Sequence, residues 1–126
     1  MYAPTTKILI VDDSPDNQAL ITHFLRLVSA KIDTANDGRE AVEKAVSQDF
    51  DVVLMDIQMP VMDGYAATKE LRERGFTKPI IALTAHAMKE ERRRTLENGF
   101  NDHLTKPIDR ELLVNTIARF AHPPVI

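Results

Sequence analysis

The sequence predicts an α/β fold, a three-layer (βα)5 sandwich whose middle layer is a parallel five-stranded sheet. Three observations carry this expectation. Short apolar, β-branched runs alternate strictly with longer amphipathic segments. The central run Val52-Val53-Leu54-Met55 is apolar at every position, as a parallel strand covered on both faces requires. The chain has 126 residues, a length that suits one domain spanning residues 1–126 with its core at about 7–120, and no repeat or linker divides it.

The elements follow in order. Lys7–Val11 reads as a buried first strand. Ser14 can cap the first helix, Pro15 fits its first position, and Asp16 suits the positive helix end. Leu20, Ile21, Phe24, Leu25, Leu27 and Val28 form its broad apolar face. Lys31–Ala35 is a weak second strand and Asn36-Asp37-Gly38 a turn. Arg39–Ser47 is the second helix, with Ala41, Val42, Ala45 and Val46 inward. Asp51–Met55 is the third strand, and Ile57–Gly64, with Pro60, is a loop. A helix from about Tyr65 to Arg74 stops at Gly75. Pro79–Leu83 is the fourth strand, and Met88–Asn98 is the fourth helix, closed by Gly99. Phe100–Thr105 is the fifth strand. Asp109 caps a last helix with Leu112, Leu113, Thr116, Ile117 and Phe120 on one face, and His122-Pro123-Pro124 ends it. Right-handed crossovers leave few topologies, and five strands fit the flavodoxin-like order 2-1-3-4-5.

Composition narrows the function. With no cysteine there is no disulfide, thiolate metal site or cysteine nucleophile. A net charge of −3 gives no global signature of nucleic-acid binding. The longest apolar stretch is far short of a membrane span, and Met1–Thr6 lacks the apolar core of a signal peptide. A soluble, cytoplasmic protein is expected.

Polar groups punctuate the apolar runs. Asp12-Asp13 follows Ile8-Leu9-Ile10-Val11, Asp56 follows the central run, Thr84 follows Ile80-Ile81-Ala82-Leu83, and Lys106-Pro107 follows the run around Leu104. In a parallel sheet all of them emerge at one edge, where open α/β sheets bind ligands. Three gathered carboxylates repel one another, and a divalent cation relieves that repulsion. The four histidines show no zinc-like spacing, so all-oxygen ligation favours Mg²⁺, with Mn²⁺ second. Mg²⁺ commonly bridges carboxylates to phosphate. Asp56 is then the candidate nucleophile for an aspartyl phosphate, Asp12 and Asp13 the metal holders, and Lys106 and Thr84 the partners of phosphoryl oxygens.

These motifs, Ile8–Asp13, Asp56-Ile57-Gln58-Met59-Pro60-Val61-Met62-Asp63-Gly64, Ala82-Leu83-Thr84-Ala85 and Lys106-Pro107, closely resemble the receiver domain of two-component response regulators over about Lys7 to Phe120. The motif text is most similar to receivers of hybrid histidine kinases. The resemblance implies that Asp56 takes a phosphoryl group from a phosphohistidine. It implies Mg²⁺ held by Asp12, Asp13, Asp56 and the backbone carbonyl of Gln58, and a cis Lys106-Pro107 peptide. It implies a histidine kinase or histidine phosphotransfer domain as partner, docking partly on the first helix, with phosphate passed onward in some cases. A monomer or weak dimer without direct nucleic-acid contact is expected, acting as a signalling phosphoacceptor that assists its own phosphorylation and dephosphorylation rather than as an enzyme. The family's aromatic switch residue, three before the lysine, is here His103, which can titrate near neutral pH. Gln58 and His86 fall where the family tunes hydrolysis. Lys89-Glu90-Glu91-Arg92-Arg93-Arg94 reads as a solvated helix face with a Glu90–Arg94 pair, or as part of a partner surface with the last strand and helix.

Three other functions fit the sequence less well. An Asp-nucleophile phosphatase usually carries a second aspartate where Gln58 stands. A flavin or nucleotide binder wants a glycine- or hydroxyl-rich first loop, whereas Asp12-Asp13-Ser14-Pro15 is acidic. A docking-only receiver has no need of the complete acidic cluster and Lys106. The chain is expected to be either a stand-alone receiver or a piece of a larger kinase.

Overall fold

Strands and helices alternate as the sequence predicts in the computed structural model, which describes residues 6–27, 30–85 and 89–121. The strands are β1 (Thr6–Val11), β2 (Ala30–Ala35), β3 (Val52–Asp56), β4 (Ile80–Thr84) and β5 (Asp102–Thr105). They pair in parallel in the order β2-β1-β3-β4-β5. The helices are α1 (Pro15–Phe24), α2 (Gly38–Ser47), α3 (Gly64–Glu73), α4 (Lys89–Glu97) and α5 (Arg110–Ala121), and a 3₁₀ turn, Leu25–Leu27, extends α1. None of these helices is long and apolar enough to cross a membrane.

Strand alternation sends successive side chains to opposite faces. Leu9, Val11, Val53, Met55, Ile80 and Ala82 pack beneath α2 and α3. Ile8, Ile10, Val52, Leu54, Ile81 and Leu83 pack against α1 and α5. Both faces of β3 are fully covered, which is why its sequence shows no polar position before Asp56.

The helices start at the same sheet edge, and four of them, α1, α2, α3 and α5, carry a side-chain cap. Ser14 accepts from the amide of Asn17, Asp37 from Glu40, Asp63 from Ala66 and Asp109 from Leu112. Asp37 as cap makes Gly38 the first residue of α2, one earlier than expected.

Some expectations fail in instructive ways. Leu20, Val46 and Leu112, expected inward, are 43%, 47% and 53% exposed. Their neighbours Ile21, Ala45 and Leu113 take the position nearest the sheet, and one residue along a helix turns the side chain away by about 100°. β5 begins at Asp102, not Phe100, because the Phe100 amide returns to the Thr95 carbonyl and closes α4 instead. Val28, His86, Met88 and His122-Pro123-Pro124 lie outside the described residues.

One glycine bears directly on the sheet edge. Gly64 donates its amide to the Ile57 carbonyl, and a Cβ there would lie 2.5 Å from the Asp56 carbonyl oxygen and 2.8 Å from Ile57 Cα. Only glycine lets α3 start this close to the backbone that carries Asp56. Gly64→Ala is therefore expected to destabilise the fold by about 2–3 kcal/mol, read by urea unfolding. A change below about 0.5 kcal/mol would show that the contact gives way freely.

Candidate functional site

β1, β3, β4 and β5 deliver the expected groups to one edge. Asp12 follows β1 directly and is fully buried, its Oδ1 accepting the Ser14 amide. Asp13 beside it is exposed. Asp56 is the last residue of β3 and only 5% exposed, with the Gln58 amide donating to its Oδ1. Carboxylate oxygens of Asp12, Asp13 and Asp56 all lie within 4.8 Å of one another.

Lys106 Nζ reaches this cluster from beyond β5. It lies 3.1 Å from Asp56 Oδ2 and 3.4 Å from Asp12 Oδ2. The Lys106–Pro107 peptide is cis, as the family resemblance implies. Burial pushes the Asp56 carboxyl up; the hydrogen bond and charge of Lys106 pull it back, and Asp12 adds to the rise, so it ends above the ordinary value. Burial alone would lower the Lys106 ammonium, but its bonds and charge interactions with Asp56 and Asp12 hold it above its usual value. The cluster is thus acidic in excess: three carboxylates face one cation.

Three oxygen donors at this spacing, one of them exposed and two buried, fit a hard divalent cation that keeps part of its water shell. Beside them a cavity of about 200 Å³ opens between the ends of β3 and β4. Asp56, Gln58, Thr84 and Lys106 line it, and Thr84 is buried there. The cavity has room for a phosphoryl group next to Asp56, with Thr84 and Lys106 on its walls.

His103 is not at this edge. Its register partner is Ala82, two residues before Thr84, on the same face of the sheet. Its side chain is only 14% exposed, its Nδ1 has no hydrogen-bond partner among the described residues, and Asp102 Oδ1 lies 3.9 Å away.

Three contributors were not foreseen. Gln18 Nε2 donates to the Asp12 carbonyl at 2.6 Å and to Asn36 Oδ1 at 2.9 Å, tying the two first loops together. Glu91 lines the cavity, and Tyr65 Oη donates to its Oε1 at 2.7 Å. Burial, and then the bond to Glu91, push the Tyr65 phenol up to about 12. Arg94, expected to pair with Glu90, instead lies over the Tyr65 ring at 4.6 Å. Only the acidic-basic run hinted at Glu91, and that run reads equally as a solvated face.

The chain matches the family model described as "Response regulator receiver domain" over residues 8–118. It is 40% identical over 114 residues to the sensor histidine kinase RcsC of Escherichia coli (strain K12), covering 90% of this chain and 12% of that protein. Among solved structures, it is similar to the receiver domain of sensor histidine kinase PA1611 of Pseudomonas aeruginosa PAO1, which has magnesium coordinated in the active site cleft. That likeness has TM-score 0.84 and 42% identity, covering 94% of this chain and 98% of that one. It is also similar, at TM-score 0.89 and 31% identity over 96% of this chain and 92% of that one, to a co-crystal structure from Saccharomyces cerevisiae. That crystal pairs the histidine phosphotransfer protein Ypd1 with the receiver domain of the response regulator Ssk1. The chain spans about an eighth of the length of the curated relatives it matches.

The charge imbalance makes a prediction. In the presence of chelator, Asp13→Asn removes one of three mutually repelling charges and is expected to stabilise the protein by about 1 kcal/mol, measured by thermal unfolding. The same substitution is expected to weaken Mg²⁺ binding at least about tenfold. Loss of stability on substitution would mean that Asp13 is held by favourable contacts rather than by cation demand.

Proposed function

This chain belongs to the response regulator receiver domain family, and on that premise we propose that it takes a phosphoryl group onto Asp56 from a phosphohistidine donor. The observation that carries the reading is the convergence of Asp12, Asp13 and Asp56 within 4.8 Å, with Lys106 bonded to two of them. Asp12, Asp13, Asp56 and the Gln58 carbonyl would hold Mg²⁺, which neutralises charge on the transferring group when bound. The magnesium in the cleft of the similar Pseudomonas receiver supports that choice.

In the transfer, an Asp56 carboxylate oxygen attacks phosphorus. The phosphorus–nitrogen bond of the phosphohistidine breaks, and the imidazole leaves with the electron pair. Lys106, freed from its ion pair with Asp56, follows the charge onto a phosphoryl oxygen, and the Thr84 hydroxyl donates to another. This chemistry demands positioning and charge neutralisation more than acid–base help. Thr84 moving toward phosphate would leave space on its face of the sheet that His103 can enter. The face of α4, β5 and α5 would then shift between two populated states.

The partner is a histidine kinase or a histidine phosphotransfer domain. The similarity to sensor kinases and to the receiver crystallised with Ypd1 supports both. The protein acts as a signalling phosphoacceptor, with whatever catalysis it performs directed at its own Asp56.

Intact-mass measurement after incubation with Mg²⁺ and acetyl phosphate tests the assignment. One phosphoryl adduct is expected on the wild type, dependent on Mg²⁺, and none on Asp56→Asn. Full labelling of the substituted protein would move the acceptor elsewhere.

A further inference from the structure

The cavity beside Asp56 has an acidic wall that the phosphoacceptor chemistry does not use. Glu91, in the first turn of α4, lines the same space of about 200 Å³ as Asp56, Thr84 and Lys106. It is held from α3 by the Tyr65 hydroxyl at 2.7 Å. Tyr65 is itself fixed from two other sides. The Arg94 guanidinium lies 4.6 Å from its ring centroid, and Phe100 meets the ring edge-on at 5.9 Å. Both side chains are half-buried, but the Glu91 carboxylate has no bond other than that to Tyr65 among the described residues, so it is the partner that can move.

An acyl phosphate on Asp56 carries roughly double the negative charge of the free carboxylate. In a space this small, the added charge and the Glu91 carboxylate interact strongly, because the walls are protein rather than water. Lys106 engages Asp12 and Asp56 and makes no ion pair with Glu91 among the described residues.

We propose that Glu91, positioned by Tyr65, is a charge-opposing residue of the phosphoryl site: it weakens loading of Asp56, and loading in turn drives its carboxylate off Tyr65. The two effects are one coupling read from either side, since linkage between sites is reciprocal. Release of Glu91 loosens a tie between α3 and α4 directly, by a route that needs neither Thr84 nor His103. The proposal rests on the phosphoacceptor reading.

Beryllofluoride with saturating Mg²⁺ serves as the phosphoryl probe. Glu91→Gln removes the charge while keeping an acceptor for Tyr65. It is expected to bind beryllofluoride about fivefold tighter than wild type at low salt. The gap should narrow as salt rises, which a purely structural effect would not do. A second readout needs no change at Glu91. The chain has no tryptophan and two tyrosines, so Tyr2→Phe leaves Tyr65 as the sole emitter. A phenol hydrogen-bonded to a carboxylate emits weakly, so emission should rise as beryllofluoride saturates the site. Equal affinity within about twofold, or an unchanged Tyr65 signal at saturation, would overturn the proposal while leaving the phosphoacceptor reading in place. Failure of beryllofluoride to bind either protein would overturn both.

Discussion

Lys106 Nζ lies between two buried carboxylates, Asp12 and Asp56, that could not otherwise share one sheet edge. Burial raises the cost of each charge, and their mutual repulsion adds to it. One ammonium offsets only part of this, because Asp13 stands within the same cluster. The folded protein therefore holds an electrostatic deficit at a fixed point. A cation relieves the deficit, and a phosphoryl group that travels with a cation and recruits Lys106 is accommodated there. The rest of the fold serves to keep that deficit from relaxing.

Several contacts do so from the backbone outward. The parallel register aligns the ends of β1, β3, β4 and β5, which keeps Asp12, Asp56 and Thr84 together at one edge. Gln18 clamps the carbonyl of Asp12 from α1. The close approach of Gly64 to Asp56 pins α3 behind it. Further along α3, Arg72 donates to the carbonyls of Gly99, Phe76 and Lys78 and to Asn101, tying the opposite edge of the sheet together. The site sits on the last residues of β3 and β4 and on the first residues after β1 and β5, where the sheet holds each group in place, which is what a fixed charge cluster requires.

How much of this was legible in the sequence follows from which forces act locally. The strands were legible because burial on both faces forces unbroken apolar runs, and the functional residues stand where those runs stop. The caps were legible as Ser14 and Asp109, since capping is a local hydrogen bond. The exposure of Leu20, Val46 and Leu112 was not, because a broad apolar helix face does not say which of its residues touches the sheet. Phe100 reads as strand by propensity, yet its amide closes α4. Glu91 was hidden for a different reason. Its place beside Asp56 depends on how α4 lies across the sheet, which sequence spacing does not encode.

The central claim is that the acidic cluster exists to bind a cation and a phosphoryl group together. A crystal structure of the protein grown with Mg²⁺ and beryllofluoride tests it most directly. The account requires the cation between Asp12, Asp13 and Asp56, beryllium bonded to Asp56, and Lys106 turned onto a fluoride. Mg²⁺ bound elsewhere, or an unmodified Asp56 still paired to Lys106 at saturating probe, would contradict it.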